Sequence, residues 1–219
     1  MIRIVLASSS PRRRELLTRA GIRFNVIDPP EDAPPPPGVC ADLAVQLIAH
    51  HKAAAISERV PADTFVLAAD TMVVGPNGPL GKPHNPDRAH SMLCELRGRR
   101  HTVLTGVCAL RTGTESVALA VSRSAVKMRD YGEDEIARYV ASGEPLDRAG
   151  AYAIQGGGGD LVEAVGGRVD TVIGLDVRLA LQLLSDVGYP DPLPRPSDVS
   201  LTPPRVRRPL TPMRAPSRV

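Results

Sequence analysis

Apolar and polar positions fall into short blocks that change period along the chain. Residues 2–7, Ile-Arg-Ile-Val-Leu-Ala, read as a buried strand. Three serines follow, and a helix is expected over 11–20, stopped by Gly21. A second strand is expected at 24–27, then a proline-laden loop over 29–38. A helix over about 42–59 would place Leu43, Leu47, Ile48, Ala55 and Ile56 on one broad apolar face. Residues 64–69 form a continuous apolar strand closed by Asp70. Pro76-Asn77-Gly78-Pro79 is a turn, and Asn85-Pro86 reads as a cap and first-turn pair. The next helix carries Ala89, Met92, Leu93 and Leu96.

Strands at 102–110 and 117–128 form a hairpin, and 133–142 is a short helix. A glycine-rich loop through Gly159 leads to two short strands around Gly166-Gly167 and a last helix over 175–187. This order predicts an α/β fold with a mixed sheet and flanking helices.

Composition narrows the function. With 219 residues and 42% hydrophobic content the chain can bury one sizeable core. Aromatics at 3% weaken any reading built on stacking single-stranded nucleic acid. There is no apolar run of about 18 residues, so no membrane span is expected. Arg3 and the early polar Ser8 do not suit a secretory signal. Cys40, Cys94 and Cys108 are odd in number, far apart and without a C-x-x-C pair, which points to a reducing, cytoplasmic setting. The five histidines include no H-E-x-x-H, so a zinc site is not expected.

The net charge of +3 suggests nucleic-acid binding only until it is located. Residues 190–219 hold six arginines against two aspartates, a net +4, which leaves −1 for residues 1–189. The same stretch contains 9 of the 22 prolines and no periodicity, so it reads as a flexible, disordered Pro/Arg-rich tail behind a domain at 1–189. Either it is a solvated extension or an arm for an acidic partner. Basic residues are mostly arginine; lysine occurs only at Lys52, Lys82 and Lys127.

Four segments carry candidate chemistry. Ser8-Ser9-Ser10-Pro11-Arg12-Arg13-Arg14 puts arginines in the first turn of a helix, where the macrodipole disfavours cations. Serine hydroxyls, backbone N–H groups and guanidinium groups there make an anion cradle, unless the arginines are simply solvated. Asp70, at the end of an apolar strand, either binds a divalent metal or takes a proton from water, or forms a turn. Its neighbour Thr71 either donates to a substrate or continues the strand. Gly81-Lys82-Pro83 presents a point charge between rigid neighbours, and Lys52, at the border of its helix's apolar face, either joins it or snorkels. The segment from Asp147 to Gly156 is rich in small residues, with Gln155 able to offer both a donor and an acceptor to a nucleobase, unless it is simply a flexible turn.

Together these segments resemble the Maf family of nucleoside triphosphate pyrophosphatases. Leu6-Ala7-Ser8-Ser9-Ser10-Pro11-Arg12-Arg13 is similar to its L-A-S-x-S-P-R-R opening, and Ala68-Ala69-Asp70-Thr71 to its A-D-T strand end. Gly81-Lys82-Pro83 is similar to its K-P element, and the 147–156 segment to D-K-A-G-A-Y-x-I-Q-G. The resemblance implies an elongated, inosine-triphosphate-pyrophosphatase-like sheet, homodimers, and hydrolysis of a nucleoside triphosphate to monophosphate and pyrophosphate with Mg²⁺ or Mn²⁺. It implies Asp70 as catalytic carboxylate, and Ser8, Ser10, Arg12, Arg13, Lys52 and Lys82 as phosphate-binding residues. Arg12, Thr71 and Gln155 match the subtype that prefers dTTP and UTP.

Three places depart from the family pattern. The acidic loop reads Asp28-Pro29-Pro30-Glu31-Asp32, from which Glu31 or Asp32 supplies a metal-binding carboxylate, with Glu31 and Asp70 the expected metal pair. Asp176 stands where a proline is expected, and Gly158 and its neighbours replace a bulkier loop. The alternative function is a non-catalytic nucleotide- or nucleic-acid-binding regulator, such as a cell-division inhibitor, working through the tail.

Overall fold

The computed structural model describes residues 3–31, 34–190 and 192–194, together with the backbone of Arg208–Pro209. Eight strands form one mixed sheet: β1 (Ile4–Ala7), β2 (Asn25–Ile27), β3 (Phe65–Gly75), β4 (Gly78–Leu80), β5 (Arg100–Arg111), β6 (Val117–Met128), β7 (Val162–Gly166) and β8 (Arg208–Pro209). Their order is β2-β1-β3-β5-β6-β7-β8, with β4 folded back on β3. β1 runs parallel to both neighbours, whereas β3, β5, β6 and β7 pair antiparallel. The longest strands, of 12 residues, span about 40 Å at about 3.3 Å per residue, which makes the sheet elongated. Six α-helices among the described residues flank it: α1 (Pro11–Arg19), α2 (Ala41–Ser57), α3 (Pro86–Leu96), α4 (Glu133–Ala141), α5 (Val169–Ile173) and α6 (Val177–Asp186).

The period-2 pattern sorts side chains onto two faces. Ile4, Leu6, Phe65, Leu67, Val107 and Ala109 pack on one face with Leu16 and Leu17 of α1 and Leu181 and Leu184 of α6. Val5, Ala7, Val66, Ala68, Cys108 and Leu110 pack on the other against Ala49, Ala53 and Ile56 of α2. A further core gathers Val73, Val103, Val126 and Met128 beneath α3 and α4. Residues 69–73 of β3 join these cores, and Asp70 lies at that junction.

Several expectations are corrected. β3 does not stop at Asp70: it continues to Gly75, with Asp70 opposite Gly106 and Thr71 opposite Thr105 of β5. The strand that ends here is β1, whose last pairing is Ala7 with Ala68. The buried face of α2 is Ala44, Val45, Ala49, Lys52, Ala53 and Ile56, while Leu43 is 44% exposed. Helix and sheet approach so closely that a Cβ at Gly106 would run into the Val45 carbonyl. Alanines therefore make up half of the buried face, while the expected Leu47, Ile48 and Ala55 are only half-buried. Beyond Gly166-Gly167 the chain forms the short helix α5, not a second strand. The expected tail lies outside the described residues except for a few positions. Of those, Leu193 packs on the first core and Arg208–Pro209 runs parallel to β7.

Candidate active site

The loop 8–10 carries the chain from the end of β1 into α1, and Ser10 takes the N-cap position without a side-chain cap bond. The first turn of α1 holds no acidic residue. Its arginines take distinct roles. Arg14 leaves for Asp28, at 2.9 Å, and for the Ser8 carbonyl. Arg13 is a strut: it donates to the Gly174 carbonyl at 2.7 Å, to Thr71 Oγ1 at 3.2 Å and to Ser8 Oγ at 3.4 Å. Arg12 lines a cavity of about 270 Å³. Burial, then the neighbouring charges of Arg148 and Arg13, pushes its guanidinium below the usual range. Asp147 and Glu144 partly offset that repulsion.

Lys52 comes from the middle of the buried face of α2 and is 7% exposed, so it does not snorkel to solvent. Its Nζ reaches Asp70 Oδ1 at 2.8 Å. Lys82, on the loop between β4 and α3, pairs with Asp147 at 2.7 Å in an exposed setting. Thr71 Oγ1 lies 3.0 Å from Thr105 Oγ1. Thr105 gives its proton to the Thr171 carbonyl, so Thr71 is the donor between the two hydroxyls.

One cavity is thus lined by Ser9, Ser10, Arg12, Arg13, Lys52, Asp70, Thr71, Lys82, Asp147, Arg148 and Gln155. Five cations meet two carboxylates there. Val73, Val103, Tyr152, Ile154 and Ile173 supply an apolar part of the wall. An adjoining cavity of about 190 Å³ shares Ser9, Arg13 and Lys52 and adds Ser8 and Glu31. The residues expected for catalysis, phosphate, base and metal binding each line one cavity or the other, whereas Arg14 of the expected cradle lines neither.

Two participants escape the sequence reading. Arg148 lines the main cavity, and its buried Nε has no hydrogen-bond partner. Its position beside Asp147 was visible, but one arginine in an arginine-biased chain carries little signal. Gly150 follows it with φ +68°, and a Cβ there would come within 2.8 Å of Val73 Cγ1. Only glycine lets this segment close against β3. Thr105 is the other, a buried hydroxyl that reads from sequence as one more strand residue.

The family model for Maf-like proteins matches residues 3–187. The chain belongs to the Maf family. A dTTP/UTP pyrophosphatase of Pelotomaculum thermopropionicum is 39% identical over 189 residues, 86% of this chain and 98% of that protein. One of Anaeromyxobacter dehalogenans is 46% identical over 196 residues, 89% of this chain and 98% of that protein. Among solved structures, a dITP/XTP pyrophosphatase from Mycobacterium abscessus aligns with a TM-score of 0.40 at 16% identity, covering 58% of this chain and 74% of that one.

Two of the three departures of this Maf protein from the family pattern have local explanations, and Asp32 of the acidic loop lies outside the described residues. Asp176 caps α6, accepting from the Leu179 N–H at 3.0 Å, and pairs with Arg168 at 3.1 Å. It is a structural carboxylate and does not line the main cavity. Gly158 packs against Tyr139 and the Ala153 backbone, where a side chain would collide.

Proposed function

We propose that this Maf protein hydrolyses dTTP and UTP to the monophosphate and pyrophosphate. The observation that carries the reading is the gathering of Arg12, Arg13, Lys52, Lys82 and Arg148 around the single inner carboxylate of Asp70. A triphosphate carries about four negative charges, and a near-neutral domain that collects cations at one opening focuses its field there. Arg12, Lys82, Arg148 and the serine hydroxyls hold the phosphate chain. Lys52 fixes one oxygen of Asp70, so the carboxylate keeps its orientation towards a water in the cavity. Asp70 takes the water's proton as the water oxygen bonds to the α-phosphorus. The bond from that phosphorus to the bridging oxygen then breaks, and pyrophosphate leaves with the electron pair. Gln155 reads the base edge beside the apolar wall, with Arg12. Thr71 contributes through its hold on Arg13.

The donor set also fits a hard divalent cation. Asp70 and Glu31 border adjoining cavities that share Lys52, and carboxylate oxygens together with phosphate oxygens suit Mg²⁺ or Mn²⁺. When bound there, the ion would offset phosphate charge as the leaving group departs. We place the enzyme in the cytoplasm as a homodimer. Free Cys40, Cys94 and Cys108 support a reducing compartment, and no helix among the described residues is long and apolar enough to cross a membrane.

A substrate panel with the full-length protein and Mg²⁺ or Mn²⁺ tests the reading. Pyrophosphate, not orthophosphate, is expected from dTTP and UTP. Asp70→Asn is expected to lower kcat by roughly 100-fold, the scale of a lost general base, with circular dichroism unchanged. Orthophosphate release, or wild-type turnover in the variant, overturns it.

A further inference from the structure

Away from the cavity, α3 presents His90 and Cys94 four residues apart, hence one above the other on the same helix face. Glu133, the first residue of α4, meets them from the neighbouring helix. One donor atom from each of the three lies within 4.8 Å of the others. We propose that His90, Cys94 and Glu133 form a binding site for a divalent transition metal, of which Zn²⁺ is the preferred ion.

The distances support the ion. Bonds of about 2.3 Å to sulfur and about 2.05 Å to nitrogen, at a tetrahedral angle, set the two donors about 3.6 Å apart. Cys94 Sγ and His90 Nδ1 are 3.7 Å apart. The donor types support it too. Imidazole and thiolate discriminate against Mg²⁺ and Ca²⁺ and favour zinc and its neighbours. The other ring nitrogen, Nε2, faces Glu133 Oε1, while Arg97 Nη1 donates to Glu133 Oε2 at 3.4 Å. The Glu133 side chain is 60% exposed, so it can turn from Nε2 to complete the site, with water as fourth ligand. Binding takes the cysteine as thiolate and releases its proton to solvent. The absence of C-x-x-C and H-E-x-x-H hid this arrangement in the sequence, because its third ligand comes from another helix.

Cobalt(II) titration of the full-length protein is the test. One ion per chain is expected, with a thiolate-to-cobalt charge-transfer band in the near ultraviolet. The band should persist in Cys40→Ser and vanish in Cys94→Ser. Zn²⁺ at roughly a hundred times its Kd should raise Tm by about 5–10 °C in the wild type and leave Cys94→Ser unmoved, while Mg²⁺ gives no such rise. Should Cys94→Ser fold poorly, Glu133→Gln on the exposed side should still weaken cobalt binding by roughly tenfold or more. No thiolate band in the wild type, a band surviving in Cys94→Ser, or unchanged affinity in Glu133→Gln overturns the proposal. None of these readouts depends on nucleotide hydrolysis.

Discussion

Two lysine–aspartate pairs line the same cavity with almost the same length and opposite surroundings. Lys52–Asp70 measures 2.8 Å with side chains 9% and 14% exposed; Lys82–Asp147 measures 2.7 Å with side chains 52% and 75% exposed. Water screens the second pair and hardly reaches the first, so equal geometry carries unequal consequences. A buried pair fixes orientation, and losing one partner strands the other's charge. An exposed pair opens at little cost. On the proposed function the inner pair would be a fixed part of the machinery, and the outer pair a latch that exchanges its carboxylate for an incoming phosphate.

The largest effect should come from splitting the inner pair. Lys52→Met leaves the Asp70 carboxylate partly desolvated without its cation, and a loss of about 3 kcal/mol in urea unfolding is expected. Removing both charges, as Lys52→Met with Asp70→Leu, should recover much of that stability while leaving no activity. If the single variant unfolds within about 0.5 kcal/mol of the wild type, the inner pair is no more special than a surface one.

This asymmetry was only half legible in the chain. Serine at a helix start is the favoured cap, arginine in the first turn is disfavoured, and lysine between glycine and proline is restricted, so each stands out locally. Asn85 does cap α3, accepting from the Arg88 N–H at 2.8 Å, and the apolar stripe of Ala89, Met92, Leu93 and Leu96 is buried as its spacing requires. What the chain concealed depends on distant backbone. The face of α2 could not be chosen without knowing that it lies against Gly106, so Lys52 read as a border residue instead of a buried one. Asp70 read as a strand end because a carboxylate in mid-strand is costly unless a cation from another element reaches it, and that cation is 18 residues upstream.

The wall that carries the outer pair rests on a neutral buried histidine. Tyr152 lines the cavity, and its hydroxyl lies 2.8 Å from His101 Nε2. Burial lowers His101 from 6.5 to about 4. Between those values the unfolded chain binds the proton that the folded one refuses, so stability is fully present above pH 6.5 and falls as the pH drops towards 4. Between pH 7.5 and 4.5 this group alone should remove about 2.5 kcal/mol. Urea unfolding of wild type and His101→Gln at both pH values isolates it: the variant should lose that much less on acidification. Equal losses would mean that His101 is not held neutral in this wall.

The smallest effect belongs to the latch and distinguishes it most sharply from the inner pair. The hydrogen bond from Lys82, with the charges of Lys82, Arg148 and Arg12 behind it, holds the Asp147 carboxyl below the usual carboxylate range. It is therefore ionised at neutral pH and, on the proposed reading, would compete with phosphate for Lys82. Asp147→Asn should leave urea unfolding within about 0.5 kcal/mol of the wild type, as expected of an exposed pair. Relieved of its competitor, Lys82 should hold the substrate more tightly and lower KM by up to about fivefold, the equivalent of about 1 kcal/mol. High salt should shrink that difference, since the competition is between screened charges. A rise in KM would instead make Asp147 a group that positions Lys82 for the phosphate, and the outer pair would then resemble the inner one in function despite its exposure.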